Sequence, residues 1–448
     1  MSSNVWPPVL TNENANDREA RLAAEREAKR ISDEIDRALE QERQELRKRR
    51  PQTKILLLGQ AESGKSTMIK HFQLFFCPSQ FAAETEAWRT VIHLNLARFV
   101  NHVLQVLSTA GSASGKSDPN VRMLQMRLSP LKQVELILSR AINEESPSQL
   151  SSPTEETSKP TWRPRAAPEV SIRGGSGWKT LMRRRKGSTA AKSPSIPDEV
   201  EDARQILDAC KDDVVALWQS SILRTLEEEG MDLHHHARYF LDNAARVANL
   251  SYTPTTDDIL RARLRTLGVE EYRMTMETAA EKGSDWVFYD VGGSRNQRAA
   301  WASYFDDVNA VIFLCPMSGF NQRLSEDGSV NRLFDSMELW ETVCKSKLLA
   351  NAMFILLLNK ADILYAKLKA GIKFEDYVAS YHGRPNKAEY VADYLREQMI
   401  LTHRMCSPKR RQLHAHVTCA IDTTVMGAVL NSIRDCILVI ILQQTTLL

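Results

Sequence analysis

The sequence predicts an α/β protein in which a doubly wound sheet is split by an all-helical insertion and preceded by a long helix. Three observations carry that expectation. Apolar runs of strand length recur at Lys54–Leu58, Trp286–Tyr289, Ala310–Cys315 and Met353–Leu358, with a weaker one at His416–Cys419. Between the first and second runs, apolar residues fall at helical spacing. Residues 13–50 are dominated by Glu, Arg, Ala, Gln, Lys and Leu and contain neither glycine nor proline.

Taken in order, residues 1–50 form an amino-terminal helix and tail. Its apolar positions Leu22, Ile31, Ile35, Leu39 and Leu46 make only a thin stripe, which suits a helix lying on a partner or on the domain surface; a solvated charged helix is the alternative. Residues 51–75 and 257–448 supply the α/β domain, whose first strand, KILLL, has the continuous apolar texture of a buried parallel strand. Residues 76–256 form the helical insertion, with helical spacing at 81–108, 120–141, 201–229 and 233–249. Within it, the interval 141–200 holds seven of the seventeen prolines, many serines and the run RRRK at 183–186, and is expected to be a disordered insertion. The basic run reads as a solvated loop, with contact to acidic lipid or a phosphorylation context near Ser188 as alternatives.

Composition narrows the function. With 59 basic against 56 acidic side chains the formal charge is +3, which gives no global reason to expect a nucleic-acid partner. Seven cysteines without a CxxC pair argue for reduced thiols and against a disulfide scaffold or zinc site. No apolar run approaches the roughly 18–20 residues that span a bilayer. The start MSSNVWPP has no signal-peptide core and no Met-Gly for myristoylation, and the first cysteine is Cys77, so the expectation is a cytoplasmic chain without an amino-terminal lipidation signal.

The chemistry lies in short motifs at the ends of the expected strands. GQAESGKST at 59–67 follows a strand and fits the phosphate-binding pattern G-x-x-x-x-G-K-[ST]. Backbone N–H groups of Glu62, Ser63, Gly64, Lys65, Ser66 and Thr67 can wrap phosphates, the Lys65 ammonium can reach the terminal ones, and the Ser66 hydroxyl can bind Mg²⁺. GSASGKS at 111–117 also ends in GKS, but it has one spacer too few and follows a helical segment, so it reads as a loop. NKAD at 359–362 selects the base. Guanine offers an N1–H and a 2-amino group that the Asp362 carboxylate can accept together, and adenine offers neither. Asn359 serves N7 and the loop, and the Lys360 stem lies over the ring. Thr418-Cys419-Ala420 follows the last strand, where the Ala420 N–H would meet the guanine O6.

The order GxxxxGKST, DILRARLRTLG, DVGG, NKAD, TCA resembles that of the alpha subunit of heterotrimeric G proteins. The likeness runs from about Lys54 to the end, includes the helical insertion that small Ras-like GTPases lack, and is close in EDGSVNRLFDSMELWETVC at 326–344. It implies a Ras-like P-loop GTPase domain with an inserted all-helical domain, a guanine-nucleotide switch that binds GDP or GTP with Mg²⁺ and couples a membrane receptor to effectors. YTPTTDDILRARLRTLG at 252–268 resembles the family's first switch, which makes Arg263 the built-in arginine finger and Thr266 the second hydroxyl on Mg²⁺. In DVGG, Asp290 would hold Mg²⁺ through water, and Gly293 would let its N–H approach the γ-phosphate.

Ser294 departs from this pattern. It stands where the family carries the glutamine that orients the attacking water, and its hydroxyl is too short for that pose, so hydrolysis is expected to be slow while binding survives. Three readings stay open: a slow GTPase, a guanine-nucleotide-binding scaffold without useful catalysis, and takeover of the task by Asn296 or Gln297. A P-loop ATPase or kinase conflicts with NKAD. Ala61 replaces a glycine of the phosphate loop, and Ala299 and Ala300 replace basic residues before Trp301. The resemblance places beta–gamma subunits against the amino-terminal helix and second switch, a contact those alanines put in doubt. It places the receptor against the last residues, IRDCILVIILQQTTLL, and the whole protein at the inner face of the plasma membrane as a peripheral component.

Overall fold

The computed structural model describes residues 26–27, 29–33, 35–37, 52–114, 119–143, 171–173, 196–220, 235–278, 282–419 and 422–445. The chain divides into two units, Met1–Gln52 and Thr53–Leu448. In the first, the described residues between 26 and 37 are helical, with Arg30 paired to Glu27 at 2.7 Å and Ile31 and Ile35 exposed. Leu22, Leu39 and Leu46 lie outside the described residues.

In the second unit the run TKILLLG forms strand β1 (Thr53–Gly59). Its alternate side chains enter two different cores, Ile55 and Leu57 on one face of the sheet and Leu56 and Leu58 on the other. A strand buried on both faces has no polar side to show, which is why the run reads as continuous. The chain turns from β1 into helix α1 (Lys65–Phe76) and then leaves the sheet through α2 (Pro78–Ala83) and α3 (Thr85–Ser114). Helices α4 (Pro119–Arg127), α5 (Leu131–Asn143), α6 (Ile196–Ala209), α7 (Lys211–Gln219), α8 (His235–Asp242) and α9 (Ala244–Val247) follow. They share an apolar core centred on α3, built from Val91, Leu94, Val134, Leu138, Leu207 and Phe240 among others.

The chain returns through α10 (Thr256–Arg261), β3 (Arg265–Leu267), β4 (Val269–Thr275) and β5 (Asp285–Val291). A 3₁₀ helix at Arg295–Tyr304, β6 (Ala310–Pro316), α11 (Arg332–Lys345), β7 (Met353–Asn359), α12 (Ala361–Lys369), α13 (Ala388–Cys406), β8 (Leu413–Val417) and α14 (Thr423–Thr445) complete it. The six-stranded sheet runs β4-β5-β1-β6-β7-β8 and is parallel except at β4, which pairs antiparallel with β5. Helices α1 and α14 cover one face through Phe72 and Leu430, and α11, α12 and α13 the other through Trp340, Leu364 and Leu395. Cutting a fully buried anchor such as Leu56 to alanine would cost about 2–5 kcal/mol.

The structure corrects several expectations. The last strand is Leu413–Val417, not His416–Cys419, because its register places Leu413 opposite Phe354 and Val417 opposite Leu358. The edge strand β4 was not foreseen. Helix α3 continues to Ser114, through the first part of the segment expected to be a loop at 111–117; extending an existing helix adds a hydrogen bond per residue without a new nucleus. Within 141–200, Ser171–Arg173 form strand β2, paired in parallel with β3, and Ile196 opens α6; the bulk of that interval lies outside the described residues. Ile259 and Ala262, assigned by sequence to the α/β domain, bury their side chains in the helical core.

Candidate functional site

A single cleft collects the phosphate loop, the residues after α10, the end of β5 and the NKAD segment. Its floor is the turn from β1 into α1. Gly64 holds φ at 108° ahead of Lys65, and a Cβ there would strike the Asn359 amide, so only glycine lets the turn close. Lys65, Ser66 and Thr67 of the first helical turn line the cleft, and the N–H groups of a first turn have no partner within their own helix. The Lys65 ammonium donates to the carbonyls of Gly59 at 3.0 Å and Gln60 at 2.8 Å. Burial pushes its pKa down to about 8, with Asp290 pulling it up and Arg298 lowering it further. Ser63 is set apart from the phosphate-facing side chains: it is fully buried, and its carbonyl accepts from the Asn359 Nδ2 at 2.8 Å.

At the metal end, the Ser66 hydroxyl donates to Asp290 Oδ2 at 2.7 Å. The parallel pairing of β1 with β5, Leu57 opposite Asp290, brings the carboxylate level with the phosphate loop. A hydroxyl and a buried carboxylate at hydrogen-bond distance, both oxygen donors beside a phosphate cradle, fit Mg²⁺. Thr266 lies on β3, and its side chain is outside the described residues.

Arg263 is placed by the helical layer. Asn95 of α3, almost fully buried, accepts from the Arg263 N–H at 2.8 Å and donates to the Arg263 carbonyl at 3.0 Å. The guanidinium meets Glu62 Oε2 at 3.3 Å, and Arg332 reaches the same oxygen at 3.3 Å. The preceding turn is fixed by a capping box between Thr255 and Asp258. Burial opposes the Asp258 charge, but Arg246 at 2.7 Å, Thr255 and Tyr239 hold its carboxyl well below the usual range. The Lys70 ammonium of α1 donates to the carbonyls of Ile259 and Ala262 at 2.8 Å each and lies 4.1 Å over the Trp88 ring.

The wall after β5 is the 3₁₀ segment. A Cβ on Gly293 would collide with the backbone of Gln60 and Ala61, so this residue packs directly on the phosphate loop. Arg298 and Arg295 grip the buried Asp335 of α11 at 2.6 and 3.0 Å, and Gln60 also donates to it. Burial opposes the Asp335 charge, yet these donors keep its carboxyl below the usual range. Trp301 donates its indole N–H to the Gly292 carbonyl at 2.9 Å. Ser294 lines the cleft and donates its hydroxyl to Gln297 Oε1 at 2.8 Å; Gln297 lines the same cleft, while Asn296 is exposed outside it.

At the base end, Asn359, Lys360 and Asp362 line the cleft. Asn359 ends β7 and also meets Thr418 at 3.3 Å. Lys360 adopts φ 63° at the turn into α12, and loss of solvent pushes its ammonium down to about 7, with Arg332 and Arg263 lowering it and Glu62 and Asp362 raising it. Cys419 is half-buried and does not line the cleft, and Ala420 lies outside the described residues. Sequence reasoning missed Asn95, Arg298, Arg332 and Asp335. Asn331 ahead of an apolar run does signal the start of α11, whose first turn carries Arg332 and Asp335.

The family model of the G-protein alpha subunit matches residues 29–437. A guanine nucleotide-binding protein alpha-4 subunit of Mycosarcoma maydis is 32% identical across 97% of this chain and 93% of its own length. An alpha-1 subunit of the same organism is 28% identical, covering 95% of this chain and 98% of its own length. A G(o) subunit alpha of Geodia cydonium is 27% identical, covering 91% of this chain and 94% of its own length. The motif order, the helical layer inserted after α1 and this full-length similarity agree: the chain belongs to the G-protein alpha subunit family.

Proposed function

We propose that this chain is a switch that binds GDP and GTP with Mg²⁺, hydrolyses GTP slowly and couples a membrane receptor to effectors. The observation that carries the reading is the Asn359 to Ser63 hydrogen bond of 2.8 Å, which locks the base-reading segment to the phosphate loop so that one nucleotide can span both. In this mechanism Asp362 accepts two guanine donors, and the N–H groups from Glu62 to Thr67 and the Lys65 ammonium take the phosphates. Ser66 and Thr266, with Asp290 through water, would hold the cation, which when bound would supply charge against that developing on the phosphate oxygens. Arg263, released from Glu62, turns its guanidinium to the transferring group, where charge stabilisation supplies most of the acceleration. Gly293 offers its N–H at the γ end.

Ser294 supports slow turnover, since its hydroxyl is bonded to Gln297 and is too short to span water and phosphate. The same residue favours the second reading, a guanine-nucleotide-binding scaffold without turnover. For partners, α14 and the tail suit the receptor, and the amino-terminal helix with the 3₁₀ segment suits beta–gamma subunits, although Ala299 and Ala300 present no charge there. Attachment at the inner face of the plasma membrane would come through such partners or through Arg47–Arg50.

Competition binding and single-turnover hydrolysis on the purified chain test the proposal. GTP is expected to bind and ATP not to compete, and Ser294→Gln to raise the hydrolysis rate about tenfold with GTP affinity kept. Competition by ATP would overturn the guanine reading, and binding without turnover in either form would leave the scaffold.

A further inference from the structure

Ser294 and Gln297 are linked twice. The Gln297 N–H donates to the Ser294 carbonyl at 3.0 Å, and the Ser294 hydroxyl donates to Gln297 Oε1 at 2.8 Å. The cause is the 3₁₀ geometry of Arg295–Tyr304: with three residues per turn, side chains at i and i+3 share one edge. A residue one turn after Ser294 therefore rises over it. Gly292 makes the room, because a Cβ there would collide with the Gln297 carboxamide. The neighbours do not compete for that edge, since Arg295 is held by Asp335 and Asn296 is exposed. The carboxamide thus lines the cleft that holds Lys65, Ser66, Arg263 and Asp290.

We infer that Gln297, clamped by Ser294, orients the water that attacks the γ-phosphate, the two side chains together doing part of the work of one long residue at position 294. The inference rests on the GTPase reading given above. A carboxamide does not take a proton at neutral pH, so Gln297 acts by alignment. Its Oε1, polarised by the Ser294 hydroxyl, keeps a lone pair for a water hydrogen, and its Nε2 can donate to a γ-phosphate oxygen. The water oxygen bonds to the γ-phosphorus, and the bond to the β–γ bridging oxygen breaks with its electron pair leaving on GDP. One water proton passes to a γ-phosphate oxygen, giving GDP and inorganic phosphate. Gln297 is the catalytic residue here, and Ser294 a positioning residue that acts through it.

The test compares the wild-type chain with Gln297→Ala, Ser294→Ala and the double variant, in single-turnover GTP hydrolysis, GDP affinity, and GDP affinity in aluminium fluoride, which mimics the transferring group. Gln297→Ala is expected to slow hydrolysis at least about tenfold and to weaken the fluoride complex by a similar factor, with GDP affinity within about twofold. Ser294→Ala is expected to slow hydrolysis about threefold alone and not at all in the Gln297→Ala background, because it acts only through the carboxamide. Wild-type turnover in Gln297→Ala, multiplying effects in the double variant, or equal loss of GDP and fluoride-complex affinity would overturn the assignment. So would a wild-type chain that binds GTP without turnover, which leaves the binding reading standing; failure to bind GTP at all sinks the earlier reading as well.

Discussion

The two ends of the cleft are held by different physics. The base end hangs on β7, a strand whose seven residues are all buried, and on side-chain to backbone bonds such as Asn359 to Ser63. The wall opposite the phosphates hangs on a ten-residue 3₁₀ helix with Trp301 as its buried residue, tied down by Arg295 and Arg298 on Asp335. A 3₁₀ run of more than about 3–4 residues is uncommon, because its hydrogen-bond geometry is poorer than that of an α-helix. Displacing the base end means breaking a fully buried strand out of the core, whereas displacing the second wall costs the Trp301 and Tyr304 packing and a set of ion pairs. In the proposed switch, the base would rest against the rigid end and the phosphates against the wall that can report what is bound.

The largest expected effect sharpens the rigid side of this contrast. Asp362→Asn should lose GTP by about ten-thousandfold and gain xanthine nucleotide, since a site made to satisfy buried hydrogen bonds rejects a ligand that leaves them open. Competition binding reads it, and retained GTP affinity would mean that Asp362 does not read the base. Next, Arg263→Ala should slow single-turnover hydrolysis about a thousandfold with GTP affinity changed only a few-fold, because its charge acts in the transition state. A comparable loss of affinity would assign Arg263 to ground-state binding.

Asp335→Asn probes the second wall directly. Removing the carboxylate charge leaves Arg295 with Asp327 at 3.5 Å and Arg298 with the Gly293 carbonyl at 3.4 Å, and amide exchange across 295–304 should quicken roughly thirtyfold. Exchange in β7 should not change, and acceleration in both regions together would erase the contrast.

The smallest effect is a pH dependence. Lys65 sits near pKa 8, and phosphates would raise it on binding. Below pH 8 it is charged with or without nucleotide, so affinity is flat; above pH 8 binding requires proton uptake, and affinity should fall by up to about tenfold per pH unit. Titration calorimetry in buffers of different ionisation enthalpy would detect the proton, and its absence at pH 9 would contradict the assignment.

Much of this was legible in the sequence where one physical cause acted alone. β1, β5, β6 and β7 announce themselves because burial on both faces leaves continuous apolar runs. β4 hides because its inward face carries Glu270, buried and bonded by Tyr272 at 2.7 Å, so VEEYRMT looks too polar for a strand. β8 hides because His414 and His416 interrupt LHAHV. In the site, loop residues could be placed by motif, yet Asn95 carries no local signal: it is a polar residue in the apolar stretch IHLNLARF, and its purpose depends on Arg263, far along the chain. Gln297 was visible only as one of two neighbours of Ser294, and choosing between them required the three-residue turn that brings it back over the serine.

The two bonds between Asn95 and the main chain of Arg263 tie the arginine to the helical layer, while Lys70 of α1 and Glu62 of the phosphate loop tie the same stretch to the sheet side. In the proposed switch, swinging α3 away from the sheet would have to break the Lys70 and Glu62 contacts and would then carry the arginine off the ligand. Exchange and turnover would then exclude each other: an open molecule could trade nucleotides and not cleave them, and a shut one could cleave what it could not trade. The signal lifetime of such a switch would depend on how long the helical layer stays closed as well as on how fast the phosphate bond breaks.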